Sequence, residues 1–311
     1  MLNKRKQKIG LALGGGGARG LAHIGVLKVF QEENIAISMI AGTSIGSLIG
    51  GFFALHLDAE ILEKRILPLL KRQEVAGLEN FSPPSFTPGK KHLTFPTRIA
   101  SFLKGLYIYN LRTVKKYLIE ADGIYQLIEE IIGTSSFEQT KIPFVAVATD
   151  LEKGEEVILN QGQMAEAILA SCSIPGIFPP LKLKGRLLMD GGIISSVPVD
   201  ITRRSGMDMV IAVNLEKKVM GREFKHGLDI MFQADDIRAH ELNRLKLIAA
   251  DIVIEPDVED VNWAQFSRAE ECIIKGEKAA RAALPEIRFL ISQMQKRPLV
   301  KRFLPFLDRK R

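Results

Sequence analysis

Short apolar runs, each closed by glycines or polar turns and followed by a helical pattern, organise the first third of the chain. Residues 8–13 read as a buried strand and residues 20–33 as the helix that follows it. In that helix Leu21, Ile24, Val26, Leu27, Val29 and Phe30 spread round most of the circumference, and Lys28 is the only charge before the polar end Gln31-Glu32-Glu33. A helix that is apolar on nearly every side packs between a sheet and its neighbours. Residues 35–41 form the next expected strand and residues 44–57 the next helix. Two successive strand–turn–helix units predict βαβ architecture and a largely parallel sheet.

The pattern then becomes less regular. Residues 58–75 read as helical with a kink or break at Pro68. Residues 77–97 hold Pro83, Pro84, Pro88 and Pro96, too many for a continuous helix or a central strand. With Phe81, Phe86, Phe95, Phe102, Tyr107 and Tyr109 close by, residues 77–116 are expected to form an insertion over the sheet, a lid or cap. Regular structure resumes with a helix over 117–132, strands over 142–149 and 155–159, and a short helix over 165–171. A rigid apolar loop follows at 173–180, then a hairpin-like strand at 185–189 running into Asp190-Gly191-Gly192. Strands at 209–215 and 252–255 bracket a helix at 234–249, and a helical pattern from about 264 to 294 is expected to be interrupted at Pro285. The expected fold is α/β with a mainly parallel central sheet, one domain over residues 1–295 followed by a basic amphipathic tail over 296–311.

Composition changes this picture in three places. The 311 residues are 46% hydrophobic, enough for a full-sized core. Cys172 and Cys272 fit a reducing compartment and offer no disulfide framework, with Cys172 expected as a small core residue. The net charge of +7 is concentrated: residues 296–311 carry net +6, residues 90–116 carry seven basic groups and no acid, and the remainder is net −6. Two readings stay open for those basic segments, solvated faces or attraction to an anionic surface. Residues 9–13 are too short for a signal-peptide core. The uncharged stretch 34–57 is broken by four glycines and several polar residues, which suits a strand, turn and buried helix better than a membrane span. A soluble, cytoplasmic protein is expected, peripheral at the inner face of the membrane if the basic segments engage it.

Candidate chemistry sits in two glycine-framed turns. Gly14-Gly15-Gly16-Gly17-Ala18-Arg19-Gly20 follows the first strand and opens a helix, so its backbone N–H groups can face an anion. Gly42-Thr43-Ser44-Ile45-Gly46 has the Gly-x-Ser-x-Gly form that lifts a serine hydroxyl off a strand-to-helix turn. Ser44 then reads either as a nucleophile or as an N-cap in a tight turn. A serine nucleophile needs a base, yet none of His23, His56, His92, His226 and His240 sits in a turn motif at a strand end. Asp190 does, and reads either as that base or as an ordinary Asp-Gly turn. A dinucleotide site on Gly15-x-Gly17-x-x-Gly20 would want an acid at the end of the second strand, where the chain has Ala41-Gly42-Thr43-Ser44. No cluster has metal-ligand spacing, and no cofactor, metal or nucleic-acid partner is expected.

The glycine-rich loop, the Gly42–Gly46 turn and Asp190-Gly191-Gly192, in that order, resemble the patatin-like phospholipases. So do Val147-Ala148-Thr149-Asp150-Leu151 and the stretch from Ala170-Ser171-Cys172-Ser173 to Pro180, which resembles the bacterial branch; the likeness covers roughly residues 8–215. The resemblance implies a Ser–Asp dyad without histidine: Ser44 as nucleophile, Asp190 as base, and Gly16 and Gly17 as the oxyanion-hole donors. Gly42 and Gly46 shape the elbow. Arg19 matches the loop's basic residue, to which two roles remain open, bracing the loop or attracting a lipid phosphate. Asp150 reads as structural, and Gly192 stands where the family often has alanine. The resemblance also implies a three-layer α/β/α catalytic domain and acyl-ester hydrolysis on a lipid or phospholipid, while the two basic segments point to an anionic membrane surface as a further partner. The alternative is a non-catalytic module of the same fold that binds a membrane surface or a protein.

Overall fold

The computed structural model describes residues 7–72, 75, 121–219, 224 and 227–296. The insertion expected at 77–116 and the tail beyond Lys296 lie outside the described residues, as do His92 and His226.

Strand β1 (Ile9–Leu13) leads through a short 3-10 turn into α1 (Ala22–Glu32). Then β2 (Ile37–Thr43) leads into α2 (Ile45–His56), followed by α3 (Ala59–Leu70) and, further on, α4 (Ala121–Ile132). Strands β3 (Phe144–Asp150) and β4 (Glu155–Leu159) precede α5 (Met164–Cys172). Next come β5 (Leu181–Leu183), β6 (Arg186–Asp190) and α6 (Val199–Arg204). The chain continues through β7 (Met209–Val213), α7 (Gly227–Leu247), β8 (Ile252–Ile254) and α8 (Ala269–Lys296).

The strands form one sheet in the order β5-β6-β3-β2-β1-β7-β8, with β4 also paired to β3. From β3 to β8 every neighbour is parallel, and β4, β5 and β6 join antiparallel. The parallel strands are covered on both faces, so their apolar runs are continuous rather than alternating. Leu11, Leu13, Ile40, Phe144, Ala146 and Ile211 face a thick layer built from α1, α2, α3, α4, α5 and α8. Ala12, Val210 and Ala212 face α6 and the end of α7, and Met39, Ala41, Val145 and Val147 face Ile201 of α6. The result is the three-layer α/β/α arrangement with a mainly parallel sheet.

Two prolines behave differently from expectation. Neither Pro68 in α3 nor Pro285 in α8 breaks its helix. A helical proline frees the carbonyl four residues earlier. Here Pro68 and Lys64, and Pro285 and Arg281, are all exposed, so each proline falls on the solvent side of its helix and the buried faces run on undisturbed. Strand β2 also runs to Thr43, directly against the serine turn.

Candidate active site

Strand register brings Ser44 and Asp190 together. Strand β4 occupies one edge of β3 over Ala146–Asp150. The other edge is therefore shared: parallel β2 covers Phe144 to Val147 and antiparallel β6 covers Ala148 to Asp150. The two strands approach head to head, Thr43 opposite Val147 and Asp190 opposite Ala148. Ser44 leaves the end of one strand where Asp190 ends the other.

The turn at Ser44 is tight. Its backbone sits at φ 54°, ψ −129°, a region that costs a non-glycine residue about 1–3 kcal/mol. The flanking glycines follow from contact: a Cβ on Gly42 would lie 2.4 Å from the Gly46 carbonyl oxygen, and one on Gly46 would lie 2.3 Å from that of Leu13. The strained residue is held from both sides. Its N–H donates to Ser171 Oγ at 2.9 Å, and its carbonyl accepts from Ser47 N at 2.8 Å and Ser47 Oγ at 2.6 Å. Thr43 Oγ1 donates to Ser195 O at 2.8 Å, tying the strand end to the segment after Asp190.

Asp190 is only 7% exposed and Ser44 only 6%. Burial pushes the Asp190 carboxyl up to about 6, while hydrogen bonds from the Ser44 hydroxyl and the Gly192 N–H oppose that rise. The Gly192 bond to Oδ1 is 2.7 Å, and the Asp190 N–H donates to Ser173 O at 3.0 Å.

The glycine-rich loop passes directly against the serine; a Cβ on Gly15 would lie 3.3 Å from Ser44 Cβ. Its N–H groups divide into two sets. Those of Gly14, Gly15 and Ala18 donate to the carbonyls of Val213, Ser196 and Trp263 at 3.1, 2.9 and 2.6 Å. Those of Gly16 and Gly17, at the N-terminal end of the following helical segment, have no backbone acceptor among the described residues. Arg19 Nε reaches back to Gly16 O at 3.2 Å, which braces the loop. Burial lowers the guanidinium pKa, and Glu216 opposes that shift.

Among the described residues no histidine hydrogen-bonds to Ser44 or acts on Asp190. His23 is fully buried, and its Nε2 lies 2.7 Å from Gly14 O, so that nitrogen donates. Burial drives it down to about 4, which keeps it neutral. His56 packs on Phe52 with ring centroids 4.3 Å apart, and His240 Nδ1 lies 3.5 Å from Glu216. Asp150, expected to be structural, accepts from Glu152 N and Lys153 N and pairs with Arg186 at 3.4 Å.

Three residues at the end of α5 escaped the sequence reading as site components. Ser171 holds the Ser44 N–H, Ser173 O holds the Asp190 N–H, and the Cys172 thiol contacts the Ser44 and Ser47 side chains. Cys172 is half-buried and packs against the main core cluster, and burial followed by the nearby Asp190 raises its thiol pKa. The stretch was noticed as a motif, but these contacts span up to 127 residues of sequence and leave no local signal.

Fold and site together define an α/β protein built around a serine elbow, a facing carboxylate and a glycine-rich loop at one end of a mainly parallel sheet. The chain belongs to the patatin-like phospholipase family, whose profile matches residues 11–203. It is 32% identical over 221 residues to an uncharacterized NTE family protein of Mycobacterium tuberculosis, Rv1063c, covering 69% of this chain and 51% of that protein. It is also 32% identical over 211 residues to Lysophospholipase NTE1 of Pyricularia oryzae, covering 67% of this chain and 12% of that one. The chain thus spans about half the length of the mycobacterial relative. Among solved structures, VipD from Legionella pneumophila aligns over 90% of this chain and 67% of its own, at 15% identity and a TM-score of 0.49.

Proposed function

We propose that this chain is a serine esterase that hydrolyses acyl ester bonds of lipids through a Ser44–Asp190 dyad. The observation that carries the reading is the head-to-head meeting of β2 and β6 on one edge of β3, which sets the Ser44 side chain beside the buried Asp190 carboxyl. Membership of the patatin-like phospholipase family supports the substrate class.

In the first half-reaction Ser44 Oγ attacks the ester carbonyl carbon and its proton passes to Asp190. The carbonyl oxygen becomes an oxyanion, stabilised by the N–H groups of Gly16 and Gly17. Each preorganised donor of this kind is worth roughly 3–4 kcal/mol. Arg19 Nε, bonded to Gly16 O, braces the peptide that carries the Gly17 N–H. Collapse of the tetrahedral species breaks the bond to the alcohol oxygen, which takes the proton from Asp190. Water then repeats the sequence on the acyl-enzyme, again with Asp190 as base. An anionic membrane surface is the proposed setting. Among the described residues no helix is long and apolar enough to cross a membrane.

The direct test is labelling with a serine-directed fluorophosphonate and turnover of a short p-nitrophenyl ester. The native chain should be labelled and active, and Ser44→Ala should lose both. Equal labelling of the two would remove Ser44 from the chemistry.

A further inference from the structure

We propose that Ser171 is a positioning residue for the nucleophile: its hydroxyl locks the Ser44 backbone to strand β3 and so sets the reach of the serine to Asp190. The inference rests on the dyad reading above and adds a residue to it.

Proton directions follow from chemistry. A backbone N–H only donates and a carbonyl only accepts. Ser171 Oγ therefore spends its single hydrogen on Val147 O at 2.6 Å and accepts the Ser44 N–H at 2.9 Å. Ser171, Val147 and the neighbouring Thr43 are fully or almost fully buried, so no solvent route replaces either bond. Val147 stands opposite Thr43 and next to Ala148, the residue that faces Asp190. The Val147 carbonyl is thus the point where both catalytic strands are indexed. A Cβ on Gly191, immediately after Asp190, would lie 2.3 Å from this same oxygen.

The anchor matters because Ser44 does not choose its conformation freely. Its φ of 54° persists only while the surroundings over-determine it. Ser47 fixes the carbonyl side through two bonds, and Ser171 alone fixes the amide side among the described residues. The same helix end supplies Ser173 O to the Asp190 N–H. One turn of α5 therefore sets the separation of the two dyad members. Displacements on the order of 1 Å at a reacting centre cost about 100-fold in rate.

The test compares Ser171→Ala, Ser171→Cys and Ser171→Thr with Thr202→Val. Thr202 is a buried residue of α6 whose hydroxyl donates to Pro198 O at 2.9 Å, and it reports the generic effect of losing a buried hydroxyl. Ser171→Ala should lower kcat about 10- to 100-fold on the soluble ester with KM within about 3-fold of native. The acid limb of its pH profile should move upward, because a displaced Ser44 hydroxyl no longer stabilises the ionised carboxyl. The groups acting on Asp190 are the Ser44 hydroxyl, the Gly192 N–H of its own turn and the Cys172 thiol from α5. Ser171→Thr, which keeps the hydroxyl, should recover most of the turnover, and Thr202→Val should remain native. Should Ser171→Ala fail to fold, Ser171→Cys decides the matter, since a thiol fills the space but accepts poorly. Native kcat and an unmoved acid limb in Ser171→Ala, or in Ser171→Cys in that case, would overturn the inference while leaving a dead Ser44→Ala intact. If Ser44→Ala is itself active, the dyad reading fails. Amide-proton exchange at Ser44, fast in Ser171→Ala and slow in the native chain, then still tests the anchor.

Discussion

Replacing Asp190 by asparagine should destroy activity and at the same time make the protein more stable at alkaline pH. The carboxyl moves from its usual 3.8 to about 6 on folding, with burial as the leading cause. Each unit corresponds to 1.36 kcal/mol, so the ionised carboxylate costs the folded state about 3 kcal/mol once fully charged. A raised pKa means that the native state binds the proton more tightly than the unfolded chain. Below about 4 both states are protonated and no penalty exists; it builds between about 4 and 6 and is complete above 6. Asparagine keeps an oxygen for the Gly192 N–H and offers an N–H to Ser44, but carries no charge to bury. Urea denaturation of native and Asp190→Asn chains at pH 8 should show the variant more stable by about 2–3 kcal/mol, with the gap closing as pH falls toward 4. A variant less stable than native at pH 8, with a difference that ignores pH, would mean that the carboxylate is not a buried charge and that the reasoning about the base is wrong.

Two further outcomes follow from the same site. The acid limb of kcat/KM should lie near pH 6, where Asp190 loses its proton, and His23→Gln should not move it; a limb near 4 that disappears in that variant would make His23, whose pKa is also about 4, the titrating group. Gly17→Ala should lower stability by about 2 kcal/mol or more and reduce kcat, because Gly17 has φ 58° and an added Cβ would lie 2.1 Å from Trp263 O. Native melting and turnover in that variant would contradict the tight placement of the loop.

Much of this architecture was legible in the chain because parallel strands buried on both faces leave plain apolar runs, and glycines punctuate them. Strands β1, β2, β3 and β7 and the helices after β1 and β2 announce themselves in that way. Helix α7 was found only in part: it begins at Gly227, not near 234. Its apolar residues explain the miss, since Ile230, Met231, Phe232, Ile237 and Leu245 are exposed while Asn243 is buried. Periodicity therefore pointed away from the packed side. The motif order named Ser44 and Asp190, but nothing local could say that β2 and β6 share an edge of β3. That pairing is set by where β4 lies, and Ser171 acquires a role only once the pairing exists.

Two buried titrating groups, His23 and Asp190, also give a physical reason for the proposed base not being a histidine. Burial disfavours whichever form is charged. For an imidazole the charged form is the protonated one, so His23 falls from 6.5 to about 4 and becomes a poor proton acceptor at neutral pH. For a carboxyl the charged form is the deprotonated one, so Asp190 climbs from 3.8 to about 6 and becomes a better acceptor. The same dry surroundings thus weaken one kind of base and improve the other, and would strengthen the proposed Gly16 and Gly17 donors. Beside β3, the glycine-rich loop and the end of α5, burial brings the Asp190 carboxyl to about 6, toward the ordinary histidine value of 6.5. In the proposed dyad the strand ends would do the orienting that a third residue performs in a triad: β6 carries Asp190, β2 leads into Ser44, and Val147 and Ala148 stand opposite the two strand ends.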